Sequence, residues 1–194
     1  MSVDVRTAVE AVSPLPDADW RAMADRLRVR SVARGAFLLR EGDTCDYLGV
    51  LVAGALRTYT VTPDGRERTG WLTTPGMVTT EVLSFYERVP TVEFVQAVAD
   101  AEVWALTHAD LDALCLARPA VERWARRVAE HILTDLKGHL LSQLHDPAPQ
   151  RYDRLVRLRP AFVAQIPLKH VASFLGITPS TLSRVRAERA QALT

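Results

Sequence analysis

The spacing of apolar and polar positions divides the chain into three textures. Residues 16–33 carry Trp20, Met23 and Leu27 at helical intervals behind Asp17, a residue suited to capping, and predict one helix. From Gly35 to about Leu106, short apolar or alternating runs are cut by turn residues: "FLLR" by "EGD", "YLGVLV" by "AG", "ALRTYTV" by "TPDG", "RTGWLT" by "TPG". This rhythm predicts many short antiparallel strands, hence a sandwich or roll. Pro63-Asp64-Gly65 reads as a hairpin turn, with Pro presetting one angle and Gly supplying a positive φ. "TVEFVQAVADAEVWAL" adds two more β-rich runs.

From His108 the period becomes helical. "HADLDALCLARP" ends at Pro119, and "AVERWARRVAEHILTDLKGHLLSQL" then runs 25 residues without a proline. Its apolar stripe is Val121, Trp124, Val128, Ile132, Leu136, Leu140 and Leu144. Such a helix is about 37 Å long, more than a compact small domain needs. The stripe reads as a dimer seam resembling a two-stranded coiled coil, or else as a helix packed on its own domain. Gly138 and His139 interrupt the heptad register. "HDPAPQ" at 145–150 is the best domain boundary, and a short helix around "QRYDRLVRL" is stopped by Pro160.

"VASFLGITPSTLSRVR", residues 171–186, fits two short helices crossing at a sharp angle. Ala172 is small enough for close approach, and Gly176 suits the turn between them. Leu175, Ile177, Leu182 and Val185 supply a shared core, while Thr178 can cap the second helix with Pro179 at its first position. These constraints agree on a helix-turn-helix. Its second helix would turn Ser180, Ser183, Arg184 and Ala187 outward. Arg184 suits bidentate contact with guanine, Ser180 and Ser183 suit bases or phosphates, and Thr181, Lys169 and Arg186 suit phosphates. The plainer alternative is a helical hairpin with a solvated outer face.

Charge sharpens this picture. The 194 residues have a net charge of only +1, yet residues 151–194 carry eight Lys and Arg against two Asp and Glu. The first 150 carry 16 against 21. A basic tail region on an acidic body suits a polyanion, most simply nucleic acid, although a solvated basic surface has the same composition. At 48% hydrophobic and 24% charged, the composition is that of an ordinary globular protein. No apolar run approaches a membrane span, and the N-terminus lacks the basic start and apolar core of a signal peptide. The cytoplasm and no membrane association are therefore expected. Cys45 and Cys115 are expected to be buried or half-buried free thiols, too few for a cysteine metal site.

On these motifs the chain resembles the Crp/Fnr family of bacterial transcription regulators over roughly residues 15–190. "GAFLLREGDTCDYLGVLVAGALRTYTVTPDGRERTGWLTTPG" is similar to that family's cyclic-nucleotide-binding β-roll, with glycines at 35, 42, 54, 65 and 76. The helix at 120–144 resembles its dimerisation helix, and "GITPSTLSRVR" its recognition helix, whose Ser-Arg pair is here Ser183-Arg184. Ser180 stands where the family often has an acidic base-contacting residue. The resemblance implies an α+β fold: an antiparallel, jelly-roll-like β-roll sensor domain (1–118), a long dimerisation helix (119–145) and a small winged-helix-like helix-turn-helix domain (146–194). It implies double-stranded DNA, a second copy of the chain and an unknown small-molecule effector as partners, with RNA polymerase as a further candidate.

The effector cassette departs from that pattern. Family members that bind cyclic nucleotides carry Gly-Glu and, ten residues after the Glu, Arg followed by Ser or Thr. The Glu accepts from a ribose hydroxyl, and the Arg neutralises the cyclic phosphate. Here Glu81 holds the Glu place, Thr80 replaces the Gly, Thr91 the Arg and Val92 the hydroxyl residue. A buried phosphate without its arginine loses several kcal/mol, so tight cyclic AMP binding is not expected. Arg88, three residues before Thr91, is a candidate substitute, and Glu81, Tyr86, Arg88 and Thr91 form the candidate effector pocket. No N-terminal cysteine cluster exists for an iron–sulfur centre. His131 and His139, eight residues apart, suit a haem or metal or simply a solvated seam.

Two other classes compete. A ligand- or partner-binding roll with a vestigial helix-turn-helix is the first; the chain stops at Thr194, leaving little room for a β-wing. The second is a cupin-like enzyme, which needs several His and a carboxylate on one metal. The strand region contains no histidine before His108, so no catalytic residue, metal or cofactor is expected.

Overall fold

Two long strands organise the sheet, and each is long enough to serve two short ones. In the computed structural model, which describes residues 2–191, β3 (Leu48–Val61) and β6 (Phe94–Leu106) pair antiparallel along most of their length. The other edge of β6 carries β1 (Arg28–Val32) and β2 (Phe37–Leu39); that of β3 carries β4 (Glu67–Thr73) and β5 (Val78–Thr79). Register shifts between Leu51 and Leu56 bend β3, and such bulges curl a sheet into a roll. The strand faces that meet inside are β-branched and aliphatic, with Leu51, Leu56 and Val103 fully buried.

Short helices α1 (Val5–Glu10) and α2 (Asp17–Ala24) precede the roll, and α3 (Val82–Glu87) lies between β5 and β6. Beyond the roll come α4 (His108–Ala117), α5 (Pro119–His145), α6 (Ala148–Leu158), α7 (Pro160–Gln165), α8 (Leu168–Phe174) and α9 (Pro179–Gln191). No helix among the described residues is long and apolar enough to cross a membrane.

The sequence places several boundaries well and others not. The hairpin forms at Pro63-Asp64-Gly65: the Gly65 amide donates to the Thr62 carbonyl, and Gly65 has φ +78°. The helix expected over 16–33 ends at Ala24, and residues 28–32 are instead β1, because the free edge of β6 satisfies their backbone and Val32 is buried against the core. Asp17 opens α2 without capping it and pairs with Arg6 at 2.5 Å. The two runs expected in 91–106 are one strand, β6, since its partner β3 continues beside it. Pro160 both ends α6 and begins α7, where its missing N–H costs nothing.

Helix α5 is divided along its length. Val121, Trp124 and Val128 are buried in the roll's core, and the Trp124 indole donates to the Val9 carbonyl at 2.9 Å. The stripe then emerges: Ile132 is part-buried against the same core, whereas Leu136, Leu140 and Leu144 are 43%, 51% and 67% exposed. After the break at Asp146, helices α6 to α9 share a second core built on Leu155, Phe162, Val171, Ala172 and Leu182. That core also takes Ala55 of β3 and Leu72 of β4, so these helices pack directly on the sheet. Among the described residues no strand accompanies α8 and α9; residues 192–194, which bear on the room for a wing, lie outside the described residues.

Gly54 offers a clean test of the bend. Its φ is +84°, and a Cβ there would stand 2.1 Å from the Asp100 carbonyl oxygen, whereas at Gly65 (φ +78°) a Cβ meets nothing within 4 Å. Gly65→Ala is expected to lose about 1–2 kcal/mol from the left-handed backbone alone. Gly54→Ala is expected to lose more, roughly 3 kcal/mol or above, because clash adds to conformation. Denaturant midpoints of the two variants check the ordering.

Candidate effector cavity and nucleic-acid interface

The α8–α9 pair has the geometry of a helix-turn-helix. Ala172 is fully buried where the helices meet, and Gly176 makes the turn at φ +67°. The Ile177 amide donates back to the Ala172 carbonyl at 3.0 Å, closing the turn. Thr178 caps α9, its Oγ1 accepting from the Thr181 amide at 3.1 Å, with Pro179 at the first position. Leu182 and Val185 face inward.

The outer face therefore carries polar residues. Ser180, Ser183, Arg184, Arg186 and Ala187 are exposed, and so is Lys169 at the start of α8. The Arg184 side chain is 73% exposed, with Glu188 at 4.0 Å as a loose neighbour. Ser183 donates to the Pro179 carbonyl at 3.0 Å, while half-buried Thr181 shares a hydroxyl contact with Thr178 at 2.9 Å. Nothing of the body covers Ser183 or Arg184.

A buried polar network joins the sheet to α8. Arg57, on β3 and 5% exposed, donates to Glu67 at 2.6 Å and to Gln96 at 2.6 and 3.0 Å. Its Nη1 also reaches His170 Nδ1 at 3.0 Å. Because a guanidinium only donates, His170 accepts here and is held neutral. Burial first, then Arg57 and Lys169, bring the His170 imidazole down to about 4. Alongside, the Thr69 amide of β4 donates to Ser173 Oγ of α8 at 3.0 Å.

Between the roll and α5 lies a cavity of about 940 Å³. Two of the four residues read as the effector pocket line it, Glu81 and Thr91; Tyr86 and Arg88 do not. Glu81 is buried and caps α3, its carboxylate accepting from the Leu83 and Ser84 amides at 3.1 and 2.9 Å. Thr91 is 5% exposed and accepts from the Glu93 amide at 3.0 Å. Arg88 is turned away: at φ 55° it reaches the Cys45 carbonyl at 2.6 Å and Asp46 at 3.0 Å. Tyr86 is 44% exposed, edge-on to Phe85.

The sequence did not single out the other groups that shape this region. Glu93 faces the cavity near Gly70, and burial, with the Glu81 charge adding to it, raises its carboxyl to about 7. Thr91 and Glu93 flank a bend at Val92 just before β6, and both line the cavity. Arg57 was legible, as a charge at an inward position of "ALRTYTV". His170 had no such sign. Trp71 of β4 lines the large cavity and also a smaller one of about 350 Å³ between α5 and α6, and it meets the Phe174 ring of α8 at 5.9 Å. His131 opens on the large cavity, whereas His139 stacks on Phe174 at 4.2 Å, so the two do not converge. Among the described residues no group of three metal-ligating side chains forms. Cys45 and Cys115 are both free.

Comparison with known proteins places this architecture. Residues 29–118 match the family model of the cyclic nucleotide-binding domain. The transcriptional activator protein Anr of Pseudomonas protegens is 26% identical over 169 residues, 81% of this chain and 68% of that one. The structure of FixK2 from Bradyrhizobium japonicum has a TM-score of 0.75 at 19% identity, covering 86% of this chain and 85% of its own. The catabolite activator protein of Thermus thermophilus has a TM-score of 0.57 at 22% identity, covering 95% and 87%. The two structures share this fold, an N-terminal β-roll with a C-terminal helix-turn-helix.

The joint at His170 predicts an acid-sensitive stability. The unfolded imidazole takes up a proton near 6.5 and the folded one near 4, so between those values the unfolded chain binds more protons. The contribution of His170 is thus complete above pH 6.5 and declines as pH falls toward 4, by on the order of 3 kcal/mol over the window. Urea unfolding at pH 7.5 and 4.5 should show this loss, and His170→Gln should flatten it.

Proposed function

We propose that this chain, a relative of the Crp/Fnr regulators with a cyclic nucleotide-binding domain over residues 29–118, is a dimeric, sequence-specific DNA-binding transcription regulator whose effector cassette does not hold cyclic AMP. The observation that carries this reading is the uncovered polar face of α9, with Ser180, Ser183, Arg184 and Arg186 exposed in the basic region of the chain. The name of the Pseudomonas relative, a transcriptional activator, supports it.

Residues 1–118 act as the sensor, 119–145 as the dimerisation helix and 146–194 as the DNA-binding part. The bare leucines of α5 pair with those of a second copy, because an apolar stripe of that length is costly in water. Two copies related by a twofold axis place their α9 helices in successive major grooves about 34 Å apart, which calls for a near-palindromic site. Arg184 reads guanine, while Ser180 and Ser183 contact bases or phosphates. Lys169, Thr181 and Arg186 hold the backbone. RNA polymerase is a natural further partner, and the cytoplasm the natural compartment, for such a regulator.

Cyclic AMP is excluded on charge. Thr91 stands at the cavity wall where an arginine would neutralise a phosphate, and Glu81 already spends its carboxylate on capping α3. The effector signal passes through Trp71, which borders both the cavity and α8. No catalytic role is assigned to any residue.

Selection of bound genomic DNA by the purified protein is expected to return a short near-palindrome. On that site Arg184→Ala should weaken binding roughly five- to 150-fold, about 1–3 kcal/mol, and relax the preference for guanine. Leu140→Arg with Leu144→Arg should sediment as a monomer and lose the gel shift. Unselective DNA, or a shift indifferent to Arg184→Ala, would sink the reading in favour of a binding module with a vestigial helix-turn-helix.

A further inference from the structure

The chemistry of the large cavity says what kind of molecule it suits, and the argument rests on reading the roll as a sensor. Its charged groups are segregated. At the α5 end, Asp135 and Arg159 neutralise one another in an ion pair. At the roll end stand two carboxylates, Glu81 and Glu93. Glu81 is satisfied by the backbone of α3. The Glu93 carboxylate has no hydrogen bond or ion pair among the described residues, and it lies against Gly70, the one position of β4 where no side chain intrudes. Arg88, the nearest arginine in sequence, is bound to Cys45 and Asp46 outside the cavity.

The walls between these ends mix aliphatic side chains, Met77, Val78, Val128 and Ile132, with neutral hydroxyls such as Thr58 and Thr73, and His131 opens on them from α5. Glu93 is half-buried and its carboxylate has no partner among the described residues, an arrangement eased by a donor or a positive charge brought in from outside. An anion would meet the opposite: two like charges at the roll end and no free cation there. Its volume, about 940 Å³, is in the range of sites that bury a drug-sized ligand.

We propose that this cavity binds an apolar amine, its ammonium or N–H head held at Glu93 beside Glu81 and its hydrocarbon body lying along the Val128–Ile132 face of α5. The site selects against the phosphate-bearing ligands for which related rolls are named. The amine supplies Glu93 with its missing donor, and its body contacts Trp71, the residue shared with α8.

The experiment uses the full-length protein and a matched pair of probes. N-phenyl-1-naphthylamine, a neutral fluorescent reporter of apolar sites, is bound first. Octylamine and octanoate, equal in chain and opposite in charge, then compete for it at pH 8. Octylamine should displace the reporter at least tenfold more effectively than octanoate, and cyclic AMP should not displace it at all. Glu93→Gln should reduce the amine preference to threefold or less. Thr91→Arg, which keeps Glu93 and adds a cation to the wall, gives a second variant should the first not fold, and it should shift the preference toward octanoate. Equal displacement by the two chains, displacement by cyclic AMP, or no binding of the reporter would overturn the proposal. A gel shift on the selected DNA is run in parallel. Intact DNA binding without amine selectivity sinks the ligand class alone, and loss of both sinks the regulator reading with it.

Discussion

Val121, Trp124 and Val128 seat the first half of α5 in the core of the roll, and Trp124 is fixed further by its bond to the Val9 carbonyl. From this seating three features follow. The helix becomes one wall of the large cavity, because Val128 and Ile132 face the strands across it. Its second half extends beyond that seat, so Leu136, Leu140 and Leu144 are left 43%, 51% and 67% exposed. Its end at His145 sets where α6 begins and hence where the helical layer meets the sheet. Loosening the Trp124 contact would disturb all three together, since a rigid helix transmits a shift at one end to the other.

The helices beyond Asp146 are held to the sheet by two kinds of contact. One is apolar: Ala55 and Leu72 join the core of α6 to α9. The other is polar, the Arg57–His170 and Thr69–Ser173 bonds. Trp71 sits between them, edge-on to both Phe174 and His139. Because β4 supplies Thr69, Trp71 and Leu72, a displacement of this one strand reaches the cavity and α8 at once. Trp71 and Gly70 line the cavity from the same strand.

What the sequence disclosed follows the range of the forces involved. Local signals were legible: the Pro-Asp-Gly hairpin, the glycine turn at 176, the Thr178 cap and the period of α5 all depend on residues within a few positions of each other. The segment 28–32 has a helical apolar spacing, yet its strand state is decided by pairing with β6, some seventy residues away. The single strand β6 was divided in two for the same reason. The stripe of α5 was found, but its division into a buried and a bare half depends on where the roll ends, which no periodicity records. Glu81 and Thr91 were placed at the cavity, whereas the direction of Arg88 was set by its left-handed backbone and its bonds to Cys45 and Asp46.

The polar joint between β3 and α8 differs from an ordinary buried ion pair in what remains if it opens. Arg57 keeps its two bonds to Gln96 and its bond to Glu67 when the His170 contact is removed, so the guanidinium is left paired. His170 would exchange one acceptor bond for water, and Ser173 would do the same with its hydroxyl. Breaking a buried pair is costly chiefly when it strands a charge, and no charge is stranded here. The apolar part joins Ala55 and Leu72 with part-buried Trp71, Met77, Val98 and Ala99. The polar part of the joint can therefore open without leaving a charge unpaired, while the apolar contacts and the Gln143–Phe174 and Asp135–Arg159 bonds keep the helical layer on the sheet and on α5.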